Sequence, residues 1–179
     1  MVALAALAAA CTRGADPAPA PHPNSPFAAC PAARPEPVVP PPPDALPAVT
    51  LPCFTGDELV ALAQLGRPAV INLWASWCTP CRGELPALQA FADEMGDLVL
   101  VLGVVTDDVW DRAAATASDL GAHYPNVFDE QASLQKALGR IGLPMTLFVA
   151  ADGSVRGTDV SGQLTVERLR TLSTRYLGR

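Results

Sequence analysis

The apolar positions of this chain follow two patterns. Continuous runs rich in Val, Leu and Ile are typical of buried strands, whereas apolar residues three or four apart indicate helices with one buried face. The first pattern predicts strands at residues 48–54, 69–75, 98–105, 126–128, 145–150 and 155–160. The second predicts helices near 78–95, 108–120 and 134–138, and a final helix in which Val166, Leu169, Leu172, Tyr176 and Leu177 face the core.

Local turn and cap signals refine these elements. Thr55-Gly56-Asp57-Glu58 has the spacing of a capping box and predicts a helix between the first two strands. Ala151-Asp152-Gly153-Ser154 predicts a hairpin turn between the last two strands. Strands that alternate with helices in this way predict an α/β domain.

Composition separates a proline-rich part from the predicted domain. Of the 19 prolines, 14 lie between Pro17 and Pro52, and they include the run Pro40-Pro41-Pro42-Pro43. Such a stretch has too few bulky apolar residues to form a core, and it favours extended polyproline II. We expect residues 12–47 to be a tether and residues 48–179 to be the domain. A ligand for a proline-binding module is an alternative use of the stretch.

Residues 1–11 resemble an export signal. Val2 to Ala10 is wholly small or apolar, and Leu7-Ala8-Ala9-Ala10-Cys11 resembles a bacterial lipoprotein signal with Cys11 as the lipidated residue. No Lys or Arg precedes the apolar run, so a cleaved secretory signal and a chance alanine-rich start stay open as alternatives. The run is far shorter than the roughly 20 residues that span a bilayer. We expect a lipid anchor rather than a membrane helix.

The charge balance argues against one class of partner. The formal net charge is −6, the isoelectric point is about 4.7, and 50% of the residues are hydrophobic. An acidic chain repels nucleic acid, and this apolar content is sufficient for one soluble domain with a core. Nucleic acid is therefore not an expected partner.

Candidate chemistry follows the strand predicted at 69–75. Trp77-Cys78-Thr79-Pro80-Cys81 places two thiols where they can close a small disulfide or open it to a reactive thiolate. If a helix begins near Cys78, its sulfur lies over unpaired N–H groups, and the helix dipole favours the thiolate. Cys78 is then the attacking thiol and Cys81, one turn further, the resolving thiol. Pro80 suits a first helical turn because its φ is fixed.

Half of a structural zinc site has the same cysteine spacing. No second CxxC and no HxxxH completes such a site, and the histidines, His22 and His123, lie in the proline-rich stretch and at a predicted loop edge. Redox chemistry is therefore favoured over metal binding, and neither a metal nor a cofactor is expected.

The residues around this motif resemble a known family. The segment from Asn72 to Pro86, together with Gly142 to Phe148, is similar to the TlpA/ResA/CcmG-like branch of thioredoxin-fold proteins, and the match runs from about Val49 to Tyr176. The resemblance implies a thioredoxin-like fold: a central mixed sheet flanked by helices, with an N-terminal strand and helix extension and a central strand and helix insertion. It also implies an extracytoplasmic, often membrane-tethered thiol-disulfide oxidoreductase, commonly a reductant of apocytochrome c or other secreted thiol proteins.

Several residues match the active site of this branch. Trp77, Cys78, Pro80 and Cys81, with Thr79 between them, match its redox motif, and the Leu143-Pro144 bond matches the cis-proline that faces the disulfide. The alternative for Pro144 is a proline that merely starts a strand.

Three other positions qualify the match. Glu84 matches an active-site glutamate of ResA-like reductases, although a carboxylate in the first helical turns is also ordinary dipole compensation on a surface. Asn72 replaces the buried aspartate of thioredoxins proper, which disfavours a cytoplasmic thioredoxin. Met145 replaces the threonine or glutamate that often follows the proline, so the resemblance does not extend to substrate preference.

Cysteine parity points to a second disulfide. Once Cys11 is assigned to a lipid and Cys78/Cys81 to the redox pair, Cys30 and Cys53 are left. We predict that they form a structural disulfide, as expected in an oxidising compartment. Two unpaired thiols are the alternative.

The leading hypothesis is an enzyme that reduces disulfides of exported proteins, possible substrates being apocytochromes c, at the outer side of a bacterial cell membrane. A membrane thiol relay would be its electron donor. An oxidant of secreted proteins is the first alternative; Thr79-Pro80 supplies no cation to stabilise a thiolate strongly, which favours a reductant. A peroxidase is disfavoured because Ala75 stands where a peroxidatic site needs threonine. A metallochaperone lipoprotein is disfavoured because no histidine accompanies the CxxC.

Overall fold

A computed structural model of the protein describes residues 25–32, 41–56, 58–140 and 142–179. The expected signal at 1–11, including Cys11, lies outside the described residues, as does part of the expected tether. Within the described residues, no helix is long and apolar enough to cross a membrane.

Seven strands and four α-helices make up the described part of the chain. The strands are β1 (Thr50–Pro52), β2 (Leu59–Ala61), β3 (Ala69–Trp74), β4 (Leu100–Thr106), β5 (Asn126–Asp129), β6 (Met145–Val149) and β7 (Val155–Asp159). The helices are α1 (Thr79–Met95), α2 (Trp110–Asp119), α3 (Ser133–Ala137) and α4 (Val166–Leu177).

The central sheet has the strand order β5-β4-β3-β6-β7. Strands β3, β4 and β5 run parallel, whereas β6 is antiparallel to both β3 and β7. The expected mixed sheet flanked by helices is therefore confirmed, and so are the final hairpin and the extra strand and helix in the middle of the chain. Because β3 is central, the segment that follows it lies at the middle of one sheet edge.

Alternate residues of β3 contribute to two separate cores. Val70 packs in a cluster with Leu88 of α1 and Leu169 of α4, on the face that α2 also covers. Ile71 packs on the opposite face, in a cluster that includes Val60 of β2 and Leu134 of α3. All residues of β3 are buried, which explains why the strand reads as a continuous apolar run with Asn72 as its one strongly polar member.

The helix predicted from Thr55-Gly56-Asp57-Glu58 is wrong. The chain turns there instead, with Gly56 at φ +88°, and pairs β2 antiparallel with β1 before a 3₁₀ turn at Leu62–Gln64. The pairing of the two strands places Leu51 opposite Val60 and buries both side chains in the core. A helix in place of β2 would not make this pair. Tertiary packing therefore outweighs the local cap signal. The first strand is also shorter than predicted.

Two pieces of the proline-rich segment lie against the domain. Phe27 is buried and its ring packs edge to face on Phe54, with 4.9 Å between the centroids. The Ala28 N–H donates to the His123 carbonyl over 2.7 Å. Further along, Leu46 is buried, and the Asp44 carbonyl accepts from Val155 at the start of β7. The boundary of the tether at residue 47 stays a prediction.

A disulfide fastens the first of these pieces. Cys30 and Cys53 are bonded, with 5.9 Å between their Cα atoms, and both side chains are buried. Cys53 follows β1 and bridges to Val127 of β5, so the bond ties residues 25–32 to the edge of the central sheet. This is the pairing that cysteine parity predicts.

Replacing both cysteines, Cys30→Ala with Cys53→Ala, should lower the free energy of unfolding by about 1–3 kcal/mol. The bond closes a loop with a sequence separation of 23, for which chain entropy predicts about 3 kcal/mol, less because a proline-rich loop is already stiff. Urea unfolding of the oxidised parent and the double variant measures the difference. Equal unfolding midpoints with equal slopes would contradict this role for the bond.

Candidate functional site

The redox motif occupies the junction of β3 and α1. Cys78 and Cys81 form a disulfide with 5.3 Å between their Cα atoms. Cys78 is the N-cap residue of α1, in an extended conformation, and its Sγ accepts a hydrogen bond of 3.3 Å from the Cys81 N–H. Once the disulfide opens, a negative charge on this sulfur would lie at the positive end of the helix. The arrangement favours a thiolate at Cys78.

Accessibility differs between the two cysteines and their neighbours. Cys78 is 5% exposed and Cys81 is 0% exposed, whereas Trp77 is 57% exposed. Thr79 and Pro80 are also exposed, on the first turn of α1. An approaching thiol or disulfide therefore meets Cys78 first, inside an exposed rim, while Cys81 can react only with Cys78.

The loop after β4 holds the motif in place. The carboxylate of Asp108 accepts hydrogen bonds from the Ser76 N–H and, over 2.9 Å, from the Ser76 hydroxyl. The indole N–H of Trp77 donates to the Asp107 carbonyl over 2.8 Å. Asp107 has φ +50°, so the chain turns sharply as it leaves β4. These contacts fix the two residues that precede Cys78.

The roles of Asp107 and Asp108 are not among the sequence-based predictions, which place Asp108 only at the start of a helix. In the structure that helix begins at Trp110. The signal was available: two acidic residues directly follow a buried parallel strand, and the carboxyl ends of adjacent parallel strands lie at the same sheet edge.

The cis-proline and the loop after β7 form the opposite side of the site. The Leu143-Pro144 peptide bond is cis, as the resemblance implied, and Pro144 is buried. Gly162 lies against both prolines of the site: a Cβ built on it would be 3.4 Å from Pro80 and 3.7 Å from Pro144. Its φ of +68° is a second reason for glycine here. Pro80, Pro144 and Gly162 therefore pack together beside the disulfide.

Glu84 is buried beneath the motif, only 2% exposed, so the surface explanation for this carboxylate is wrong. Its Oε1 accepts a hydrogen bond of 3.1 Å from the Leu164 N–H. Burial raises the pKa of Glu84 to about 7, against the hydrogen bond from Leu164 and the nearby Asn72 side chain, which favour the charged form. A carboxyl group with this pKa can exchange a proton near neutral pH.

Asn72 lies on β3 below the same carboxyl group. Its amide Nδ2 donates to the Thr146 hydroxyl over 2.8 Å, and its side chain is fully buried. Among the described residues, neither Asn72 Oδ1 nor Glu84 Oε2 accepts a hydrogen bond. A buried carboxylate oxygen without a donor is unfavourable, which favours a protonated Glu84 in the oxidised protein.

Asn126 connects the active-site strand to the structural disulfide. The indole N–H of Trp74, the last residue of β3, donates to Asn126 Oδ1 over 2.8 Å. The Asn126 carbonyl lies 3.3 Å from Cys30 Sγ. Gly103 on β4 makes this contact possible, since a Cβ there would be 1.8 Å from Asn126 Oδ1. Local sequence carries no signal for this link, because it joins four separate segments.

A depression of about 470 Å³ adjoins Asp107, whose carbonyl accepts the Trp77 indole N–H. Asp107 belongs to its lining, together with Glu130, Gln131, Ala132, Gln135, Lys136, Gly139 and Arg140. Charges of both signs line it. Across the described ranges, no group of three His, Cys, Asp or Glu side chains is placed to hold a metal ion.

The structure brings eight of the predicted site residues together. They are Cys78, Cys81, Trp77, Thr79, Pro80, Glu84, Leu143 and Pro144. Cys30 and Cys53 form their own disulfide at the sheet edge. Asp159, which ends β7 and carries the loop over Glu84, was not predicted.

Comparison with known proteins places the chain in a family. Residues 42–158 match the model of the AhpC/TSA family. The chain is 38% identical over 114 residues to the thiol:disulfide interchange protein DsbE of Pseudomonas fluorescens biotype C. This alignment covers 62% of this chain and 61% of that protein. It is 28% identical over 130 residues to the sporulation thiol-disulfide oxidoreductase A of Bacillus subtilis, covering 70% of this chain and 78% of that protein.

The fold also has a close counterpart among solved structures. A secreted Mycobacterium tuberculosis disulfide oxidoreductase superimposes with a TM-score of 0.62 at 21% identity, over 74% of this chain and 96% of that chain. That likeness concerns the fold. The chain spans about three fifths of the length of the Pseudomonas relative, 61%. The family match includes both cysteines of the redox motif and the cis-proline, and this chain belongs to the AhpC/TSA family.

Proposed function

We propose that this protein is a thiol-disulfide oxidoreductase that reduces disulfides of exported proteins. The observation that carries the proposal is the Cys78–Cys81 disulfide at the N-terminus of α1, with one sulfur at the rim and the other enclosed. The names of the DsbE and sporulation relatives support it, since both denote thiol-disulfide chemistry.

Electrons and atoms balance in two exchange steps. The Cys78 thiolate attacks a substrate disulfide, forms a mixed disulfide and releases one substrate thiolate. Cys81 then loses its proton, and its sulfur attacks Cys78 Sγ, which releases the second substrate thiolate. The Cys78–Cys81 disulfide closes, and two electrons have passed to the substrate. The cis Leu143-Pro144 segment, at the start of the strand beside β3, would pair with the substrate chain by edge addition.

Glu84 would take part as the proton carrier for the second step. It lies one turn beyond Cys81 on α1, enclosed like Cys81, and its pKa is raised by burial to about 7. An ionised Glu84 can accept the proton that Cys81 must lose, and a protonated Glu84 can return it when the disulfide is reduced again. Asn72, which has no exchangeable carboxyl proton, cannot replace it.

Location and partners complete the proposal. A buried structural disulfide at Cys30–Cys53 fits an oxidising compartment, and the signal-like start with Cys11 fits a lipid anchor followed by the tether at 12–47. Apocytochrome c is a candidate substrate, and a membrane thiol relay is the candidate electron donor. The direction proposed is reduction, because the motif holds no histidine or other cation between its cysteines.

Cys78→Ser should reduce the rate of insulin disulfide reduction to that of the dithiothreitol background, because the attacking sulfur is lost and Cys81 is fully buried. Cys81→Ala should instead accumulate mixed disulfides with substrate, visible as adducts by non-reducing electrophoresis and mass spectrometry. A control is the double variant Cys30→Ala with Cys53→Ala, which lacks the other disulfide but keeps Cys78 and Cys81, and should retain turnover. Turnover by Cys78→Ser would exclude the proposed mechanism.

Glu84→Gln should remove a pH dependence of stability. A carboxyl group with a raised pKa stabilises the folded state below its unfolded pKa, near 4.5, and this contribution is lost as pH rises through about 7. Unfolding free energy of the oxidised parent should therefore fall by about 2–3 kcal/mol between pH 5 and pH 8 relative to Glu84→Gln. Urea unfolding at a series of pH values measures it, and parallel profiles for the two proteins would contradict a neutral buried Glu84.

A further inference from the structure

The loop at residues 160–165, between β7 and α4, forms a wall of the redox site. Its Gly162 packs on Pro80 and Pro144, and its Leu164 N–H is the donor to Glu84 Oε1. The first contact is made by a glycine and the second by a backbone N–H, so neither depends on a side chain of the loop. The position of the loop is therefore what determines whether Glu84 keeps its hydrogen bond.

Asp159, the last residue of β7, holds this loop. Only 8% of the residue is exposed, and its Oδ1 accepts from the Ser161 N–H over 2.9 Å and from the Ser161 hydroxyl over 2.6 Å. The Ser161 hydroxyl oxygen in turn accepts from the Gln163 N–H over 3.3 Å. One carboxylate thus sets the course of the chain from the sheet to the wall of the site.

The other oxygen of Asp159 is paired with Arg168, in the first turn of α4. The Arg168 Nε donates to Asp159 Oδ2 over 3.0 Å, and its Nη2 contacts the same oxygen. Burial of Asp159 favours its neutral form, but the hydrogen bonds from Ser161 and Arg168 outweigh this, and the pKa of Asp159 lies below its ordinary value. Asp159 is therefore an ionised carboxylate near a buried carboxyl group.

Opposite charges act on Glu84 from this pair. The negative charge of Asp159 raises the pKa of Glu84 and the positive charge of Arg168 lowers it, both after the larger effect of burial. Two further groups face Glu84 from other elements: the Asn72 amide from β3 and the buried Tyr124 phenol before β5, which stays neutral because burial and the Glu84 charge raise its pKa. Among these groups, only Asp159 and Arg168 carry charge near neutral pH.

We propose that Asp159 and Arg168 are positioning residues that act through Glu84: the pair fixes the 160–165 loop over the site and places one negative and one positive charge near the Glu84 carboxyl group. One part of this inference rests on the proposed function: the expected effect on the pH at which Cys81 resolves a mixed disulfide. Neither residue touches the reacting sulfurs in the described contacts, and each acts on them through Glu84.

Two substitutions should move the pKa of Glu84 in opposite directions. Asp159→Asn keeps an oxygen for the Ser161 cap but removes the charge and leaves Arg168 unpaired, so the pKa should fall. Arg168→Gln removes the cation and leaves Asp159 unpaired, so the pKa should rise. The Glu84 carboxyl ¹³C resonance of the oxidised full chain, titrated by NMR, measures both shifts without any turnover.

A matched control is Arg170→Gln, two residues further on α4. Arg170 forms a comparable ion pair with Glu94, but that pair is exposed and is not among the groups that act on Glu84. Its substitution should leave the titration of Glu84 unchanged. Shifts in the same direction for Asp159→Asn and Arg168→Gln, or shifts no larger than in Arg170→Gln, would overturn the proposal. If Asp159→Asn does not fold, Arg168→Gln alone decides: a fall or no change overturns it.

The pH profile of mixed-disulfide resolution separates this inference from the proposed function. The profile should move to lower pH in Asp159→Asn and to higher pH in Arg168→Gln, following the titration of Glu84. Opposite NMR shifts without disulfide exchange in the parent would support the charge pair and refute the proposed function. Exchange in the parent, with a profile that neither substitution moves, would refute the charge pair alone.

Discussion

Everything at this site depends on where the Cys78 sulfur lies relative to the first turn of α1. The sulfur caps the helix by accepting the Cys81 N–H, so the same sulfur that forms the disulfide also occupies the positive end of the helix. The motif directly follows the central strand β3, at the edge of the sheet where the strand ends. Asp108 accepts a hydrogen bond from Ser76, the residue before Trp77. These constraints come from separate segments, and together they fix the position of the sulfur.

A buried carboxyl group is the second constraint, and it is unfavourable for the fold at high pH. Glu84 lies one turn beyond Cys81 on α1, and because burial raises its pKa, its ionised form lowers the stability of the folded state at high pH. The loop after β7 supplies the hydrogen bond from the Leu164 N–H to Glu84, and the Asp159–Arg168 pair holds that loop. The stability of the fold at high pH and the position of this loop are thus linked through a single side chain, the one for which we propose proton transfer.

Local patterns were sufficient for part of this picture. The buried strands, the helix that starts at the CxxC motif, and the final hairpin all follow from periodicity and turn residues, and cysteine parity was sufficient for Cys30–Cys53. The capping-box signal at residues 55–58 predicted a helix that does not form. A strand forms at β2 instead, because it buries Val60 against Leu51. Asn126 was missed because it joins segments that are distant in sequence, for which local sequence carries no sign. Asp108 was missed although it follows a buried parallel strand, and Asp159 was missed because its role depends on Arg168 of the next helix.

The reduction potential of the Cys78/Cys81 pair tests the central claim most directly. The full chain would be equilibrated in dithiothreitol or glutathione buffers, and the fraction of the reduced motif measured by alkylation and peptide mass spectrometry. Cys30 and Cys53 serve as an internal reference that should stay oxidised. The account predicts a potential near or below about −230 mV, as for reducing members of the thioredoxin fold. A value above about −150 mV, towards that of strong protein oxidants, would contradict it.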